Sequence, residues 1–373
     1  MKTSLLTLLA AASMASAAGP RYVMYFDEWH FDPLPPKEVT AGINYVITAF
    51  ANPANFTDAQ PPAYKPFMSL DKIRALFDAG TKVCMAVGGW GMNEGFDIAT
   101  VSDASRKQFA KNVASVATTL GYDCVEVDWE YPGGNGEDYK KNPNSGKVGA
   151  IETYPLLLKE IKAAISPMEL SIAVPGKEVD MMAYTAEQMP KINATVDFVN
   201  VMTYDLMNRR DNVTNHHTSI KGSLAVIDMY LARGMPADKM NLGFAFYAKY
   251  FTTASDVTCD KPTGCKTALL EYANGTDAGL SGAATFEGSS YSGAFAQAVE
   301  KGKADEEEGG QWYWDSAAHV YWTFDTPEFI AKKFTDIVKA KGLGGVMAWS
   351  LGLDSLDWRH LKAMQRGVKC MSS

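Results

Sequence analysis

The stretch best equipped for chemistry is Asp123-Cys124-Val125-Glu126-Val127-Asp128-Trp129-Glu130-Tyr131-Pro132. Read as a strand over 124–129, its side chains alternate between two faces, so Glu126, Asp128 and Glu130 share one of them. Val125 and Val127 suit an apolar layer on the other face. Three carboxylates stacked in a buried space are costly if all are ionised. Close like charges push one pKa upward, so one carboxyl keeps its proton near neutral pH. Such a group is a general acid able to protonate a leaving oxygen. Glu130, last in the series, takes that role, while Asp128, one layer deeper, would share or pass the proton and orient a substrate. A solvated acidic edge is the plainer reading, but it needs an exposed face that a sheet covered on both sides does not offer.

The rest of the chain supplies such a sheet. Apolar, strand-like runs occur at 22–26, 45–50, 83–87, 124–129, 170–174, 196–204, 242–247 and 345–350, most of them rich in Val, Ile, Ala, Met and aromatics. Between them lie helical patterns: one opening at 69–71 and ending near Gly80, then 104–120 with Asp103 as cap, 154–165, 181–192, 220–233, 326–341 and 355–366. Gly234, Gly342 and Gly367 serve as stop signals. Alternation repeated about eight times predicts a (β/α)8 TIM barrel, with Glu130 at the C-terminal mouth where barrel enzymes place their chemistry. An open doubly wound sheet lacks support, because no G-x-G-x-x-G follows the first strand. The barrel is expected over 18–251 and 321–373. The Gly-, Thr- and Ser-rich stretch 252–320, too long for a plain loop, is expected to be a small α+β insertion after the seventh strand. Its acidic run 305–308 reads as a solvated face.

Composition narrows the function. The chain has 373 residues, 47% of them hydrophobic, with a net charge of −8; that charge argues against nucleic acid or an anionic membrane as partner. Lys2, the apolar run 5–12 and Ala15-Ser16-Ala17 form a signal-peptide pattern over 1–17, so the protein is expected to be secreted. Sequons begin at Asn55, Asn193, Asn212 and Asn274. Of five cysteines, Cys259 and Cys265 could close a small loop, Cys84 and Cys124 either pair or pack as small hydrophobes, and Cys370 is left over. His216 and His217 have no ligand-spaced partner and read as surface residues. No cofactor or metal is expected, and the expected state is a monomer.

The acidic stretch resembles the D-G-x-D-x-D-W-E motif of family 18 glycoside hydrolases, the chitinases. Residues 82–89 resemble that family's third-strand S-x-G-G pattern, Met202-Thr203-Tyr204-Asp205 its M-x-Y-D, Phe246-Tyr247 its F-Y, and 344–349 its last strand with a flat tryptophan. The likeness runs in order along the whole mature chain and implies hydrolysis of β-1,4 bonds in chitin or chito-oligosaccharides. It implies substrate-assisted, retaining catalysis, in which the N-acetyl group is the nucleophile. Glu130 would be the acid/base, Asp128 would stabilise the acetamido N–H, Tyr204 would bond its oxygen and Asp205 would hold the distorted sugar. Tyr25, Phe50 and Met202 would line the pocket over a Trp349 floor. Gly89, Trp90, Tyr131 and Tyr247 would complete the substrate site. Other tryptophans, Trp29, Trp312, Trp314 and Trp322, read as core.

Three positions depart from the pattern: Glu126 replaces the innermost Asp, Ala86 a neighbouring Ser, and Cys124 a Gly. The volume lost at Ala86 would accommodate the longer Glu126, and the lost hydrogen bond would raise its pKa. Lys249 stands where many relatives carry Arg. Rival readings are a non-catalytic chitin-binding lectin, an enzyme holding Mg²⁺ on Glu126, Asp128 and Asp205, and an endo-acting enzyme on N-glycan cores.

Overall fold

A computed structural model describes residues 19–288, 290–291 and 293–371; the expected leader at 1–17 lies outside them. Seven parallel strands follow one another: β1 (Arg21–Asp27), β2 (Tyr45–Ala51), β3 (Lys82–Gly88), β4 (Cys124–Asp128), β5 (Glu169–Val174), β6 (Phe198–Val201) and β7 (Met240–Ala245). A second sheet comes next: β8 (Tyr247–Thr252), β9 (Ser281–Thr285), β10 (Lys303–Asp305), β11 (Gly310–Asp315) and β12 (Val320–Phe324). The last strand, β13 (Gly345–Trp349), closes a ring in the order β1-β2-β3-β4-β5-β6-β7-β13. This is the (β/α)8 barrel. Its strands are buried along nearly their whole length, with lumen on one side and helices on the other. That is why they read as continuous apolar runs.

Details of the reading change where local chemistry overrides pattern. The helix over 103–120 is capped by Ser102, not Asp103: Ser102 Oγ accepts the Ser105 N–H at 3.1 Å, and Ser105 Oγ accepts the Ser102 N–H at 2.9 Å. The helix expected at 181–192 shrinks to Met189–Asn193, because Pro190 has no N–H to donate and can serve only in a first turn. Residues 202–204 leave the sixth strand, since Thr203 N–H turns back onto the Val201 carbonyl at 2.8 Å. The run 242–247 is two strands in different sheets, joined through Phe246, so Tyr247 belongs to the insertion. The antiparallel sheet, ordered β10-β11-β12-β8-β9, thus takes in 247–251 and 321–324, which the sequence reading placed in the barrel.

Cys84 and Cys124 are in-register neighbours on β3 and β4 and are disulfide-bonded; Cys259 and Cys265 form the second bridge. Cys370 takes part in neither.

Gly367 does not end the last helix; it lies within Arg359–Met371 and lets Phe334 pack against the backbone, where a Cβ would sit 2.3 Å from the ring. In an exposed helix Gly→Ala stabilises by about 1 kcal/mol. Here the sign should reverse: Gly367→Ala is expected to cost ~1–3 kcal/mol through overpacking, read as a lower melting temperature. Equal or higher melting would contradict the close packing.

Candidate active site

The alternation predicted for the acidic stretch persists past the end of β4. Trp129 points into the helix layer, where its indole N–H donates to Asn93 Oδ1 at 3.0 Å and its ring stacks on Phe96. Glu126 points into the lumen and reaches side chains from three other strands. Tyr25 donates its hydroxyl to Oε1, while Ser171 Oγ (3.0 Å) and Asn200 Nδ2 (2.9 Å) donate to Oε2. Burial still outweighs these donors and pushes Glu126 up to about 7. Asp128 sits one layer higher, and its Oδ1 is buried with no hydrogen-bond partner. Burial, reinforced by the Glu126 charge, raises it as well. Glu130 lies just beyond the strand at the mouth, and burial, then the charge of Asp128, raises it well above the usual carboxylate range.

Asp205 is tuned the opposite way. Burial alone would raise it, but Lys249 Nζ at 2.9 Å, His217 beside it and the Tyr247 hydroxyl at 2.7 Å hold it well below the usual range. His217 is fully buried rather than on the surface, with Nδ1 3.7 Å from Asp205 Oδ1 and its ring against Tyr247. Burial lowers its pKa, so the ring is neutral. His216 is buried too, with Nε2 3.0 Å from Asp305 Oδ2. Asp305 is therefore not part of a solvated face: it also accepts the N–H groups of Glu307 and Glu308, and only the rest of the run faces outward.

Asp128, Glu130 and Asp205 open onto a cleft of about 730 Å³ across the barrel mouth. Trp349 forms one wall, stacked on Phe50 (5.5 Å, 15°) and tilted against Tyr25. Tyr131, Met202, Tyr204, Asp205 and Tyr247 line it with Asp128 and Glu130, and Trp90, 46% exposed, stands at the rim. Gly89 stays behind the wall: a Cβ there would meet the Phe50 ring at 2.8 Å. Trp29 is not core. It is 56% exposed and lines the cleft, because Asp27 accepts its N–H and that of His30 in a turn past β1. Asp180, Lys177, Arg210 and His30 also line the cleft and were not anticipated. Asp180 follows the end of β5 by six residues, so its place at a strand's C-terminal end was the available signal. The oxygens of Glu126 and Asp205 are engaged by protein donors, and among the described residues no group of three His, Cys, Asp or Glu could hold a metal ion.

Residues 21–354 match the sequence model of the glycosyl hydrolases family 18. The chain belongs to that family. Chitinase 1 of Aphanocladium album is 26% identical over 302 residues, spanning 74% of this chain and 63% of that protein. Chitinase A1 of Niallia circulans is 28% identical over 310 residues, 73% of this chain and 40% of that one. The chain thus spans less than two thirds of either relative. A family 18 chitinase mutant of Cycas revoluta, solved in complex with (GlcNAc)4, superposes with a TM-score of 0.72 at 21% identity, covering 93% of this chain and 99% of that one; the likeness is one of fold.

The departures from the family 18 pattern now have structural partners. Cys124, in place of Gly, is bridged to Cys84. Ala86 is in register with Glu126 on β3, and the hydroxyl missing there comes from Ser171 on β5, the strand on the other side. Glu126 therefore does not lack a hydrogen bond, and its raised pKa comes from burial, not from a lost donor.

Two outcomes follow. Ala86→Ser puts a hydroxyl into a fully buried position in register with Glu126, so a loss of ~1–3 kcal/mol is expected in thermal unfolding. Glu126 keeps its proton up to about pH 7 when folded but releases it near 4.5 when unfolded. Between those values the native state binds the extra proton, so its stability falls as pH rises, by on the order of 3 kcal/mol from this group. Glu126→Gln should flatten the fall of melting temperature across that window; an unchanged slope would contradict the raised pKa.

Proposed function

We propose that this chain is a chitinase that hydrolyses β-1,4 bonds between N-acetylglucosamine units with retention of configuration. The observation that carries the reading is the ladder itself: a protonated acid at the mouth, above an aspartate with a free buried oxygen, across the barrel from a flat tryptophan. A sugar stacked on Trp349 would present its anomeric carbon toward Glu130. Glu130 gives its proton to the glycosidic oxygen as the C1–O bond breaks, and the sugar's own acetamido oxygen closes onto C1 as an oxazolinium ring. Asp128 Oδ1 takes the acetamido N–H and stabilises the charge that grows there. The Tyr204 hydroxyl, which donates to the weakly accepting Met347 sulfur at 3.8 Å, is available to the acetamido oxygen. Asp205, kept ionised by Lys249, holds the distorted sugar. Glu130, now a carboxylate, takes a proton from the water that opens the ring, which returns the acid to its starting state.

Secretion belongs to the same reading. The leader pattern at 1–17, two disulfides and exposed sequon residues Asn55, Asn212 and Asn274 support it. The intact acid favours catalysis over a lectin role.

On N-acetylglucosamine oligomers the wild type should release the β-anomer first, unaffected by a chelator. Glu130→Gln should lower kcat about a hundred- to ten-thousandfold while oligomer binding persists. Binding without turnover in the wild type would leave the lectin, and an α-product would exclude retention.

A further inference from the structure

One acid in the cleft has no part in the reaction just described. Asp180 sits in a short turn, Glu178–Asp180, beyond the end of β5, and is 6% exposed while lining the cleft. Its Oδ1 is buried without a hydrogen-bond partner. An unpaired buried acceptor is destabilising, and this one belongs to a side chain that lines the cleft, where a ligand's donor can complete it.

The surroundings make the vacancy specific. Two cations flank Asp180, but their donors are committed elsewhere. Lys177 Nζ bonds both oxygens of Asp211 at 2.6 and 2.8 Å. Arg210 donates to the carbonyls of Asn135 and Gly136 at 2.9 and 3.0 Å, and its guanidinium lies 3.9 Å over the Tyr139 ring. Burial pushes Asp180 up to about 6 against the pull of these two charges, so it is ionised at neutral pH. The neighbouring cations are thus anchored to other groups, and Asp180 Oδ1 is left without a donor.

Its position in the cleft assigns the ligand. Trp349 ends β13, which stands opposite β4 in the ring of eight strands. Glu130 must touch the oxygen leaving from the sugar on Trp349, so what lies past Glu130 on that side meets the leaving group. Asp180 is on that side: it follows β5, the strand paired with β4, and lines the cleft together with Glu130 and Tyr131. Tyr131 in turn packs edge-on to Trp90, with Arg210 5.8 Å from that ring.

The geometry points to Asp180 as a specificity-determining residue on the leaving-group side, whose free carboxylate oxygen accepts an O–H or N–H hydrogen bond from the sugar unit departing with the cleaved bond. The inference rests on the proposed reaction and adds the residue that selects a carbohydrate leaving group over any other. It makes Asp180 useful only when a sugar occupies that side.

The test compares two substrates on the same enzyme. One is a tetramer of N-acetylglucosamine; the other is an aryl glycoside of its dimer, in which a phenol replaces the leaving sugar. Asp180→Ala and the isosteric Asp180→Asn are each expected to lose about ten- to a hundredfold in kcat/KM on the tetramer, the worth of one hydrogen bond to a charged group. On the aryl glycoside both should stay within about twofold of wild type, since the missing contact was never made. Equal losses on both substrates would mean that Asp180 acts on Glu130 or on the fold, and would overturn the inference; so would no loss on either. If the wild type cleaves neither substrate, the proposed reaction fails instead, and the two failures are told apart.

Discussion

The site is organised by a refusal of solvation. Three carboxyls climb one face of β4 and the residues just past it, inside a cylinder where water cannot reach all of them, and burial is the first cause of the raised pKa at each. What distinguishes them is what else they touch. Glu126 at the bottom has donors on both oxygens, Asp128 has an oxygen with none, and Glu130 at the mouth has the ladder's negative charge beneath it. One layer of height at a time thus separates a carboxyl satisfied on both oxygens, one with an unpartnered buried oxygen, and one at the mouth. Asp205 shows the complementary tuning: partly exposed at the cleft, it is held ionised by Lys249, His217 and Tyr247. Environments that push carboxyls apart in pKa are the usual way one site runs acid and electrostatic roles at a single pH.

The insertion contributes to this tuning rather than decorating the rim. Lys249 and Tyr247 both come from β8, and the segment His216-His217-Thr218 stitches them to the barrel. His216 engages Asp305 and Thr323 of the second sheet, and His217 abuts Asp205. Thr218 meets Lys333, whose Nζ forms a fully buried ion pair with Asp325 at 2.6 Å. Three consecutive residues thereby connect sheet, Asp205 and helix layer. A neutral, dry histidine at the centre of that path lies beside Asp205 without adding a charge.

The barrel was legible because parallel strands buried on both faces have to be apolar throughout, and eight such runs alternate with helices. The acid ladder was legible for the same reason, since charge in such a strand has no neutral explanation. Other features were hidden by distance in sequence. Ser171 and Asn200 lie 45 and 74 residues from Glu126, so nothing local announces that they complete its shell. The departure at Ala86 looked like a lost hydrogen bond only because the neighbour on the other side was not yet known. His217 and Asp180 are polar residues in loops, a composition that reads as surface until packing buries them. Trp29 failed the other way: an aromatic after an apolar strand looks like core, and only the turn fixed by Asp27 turns it outward.

The central claim is that Glu130 holds its proton because its own burial, reinforced by the charge of Asp128 beneath it, disfavours the carboxylate. Carbon-13 spectra of glutamate-labelled protein, taken against pH for the wild type and subtracted from those of Glu130→Gln, isolate that one carboxyl. A midpoint well above the ordinary 4.5 is expected, falling back when Asp128 is replaced by Asn. A midpoint at or below 4.5, indifferent to residue 128, would contradict the account.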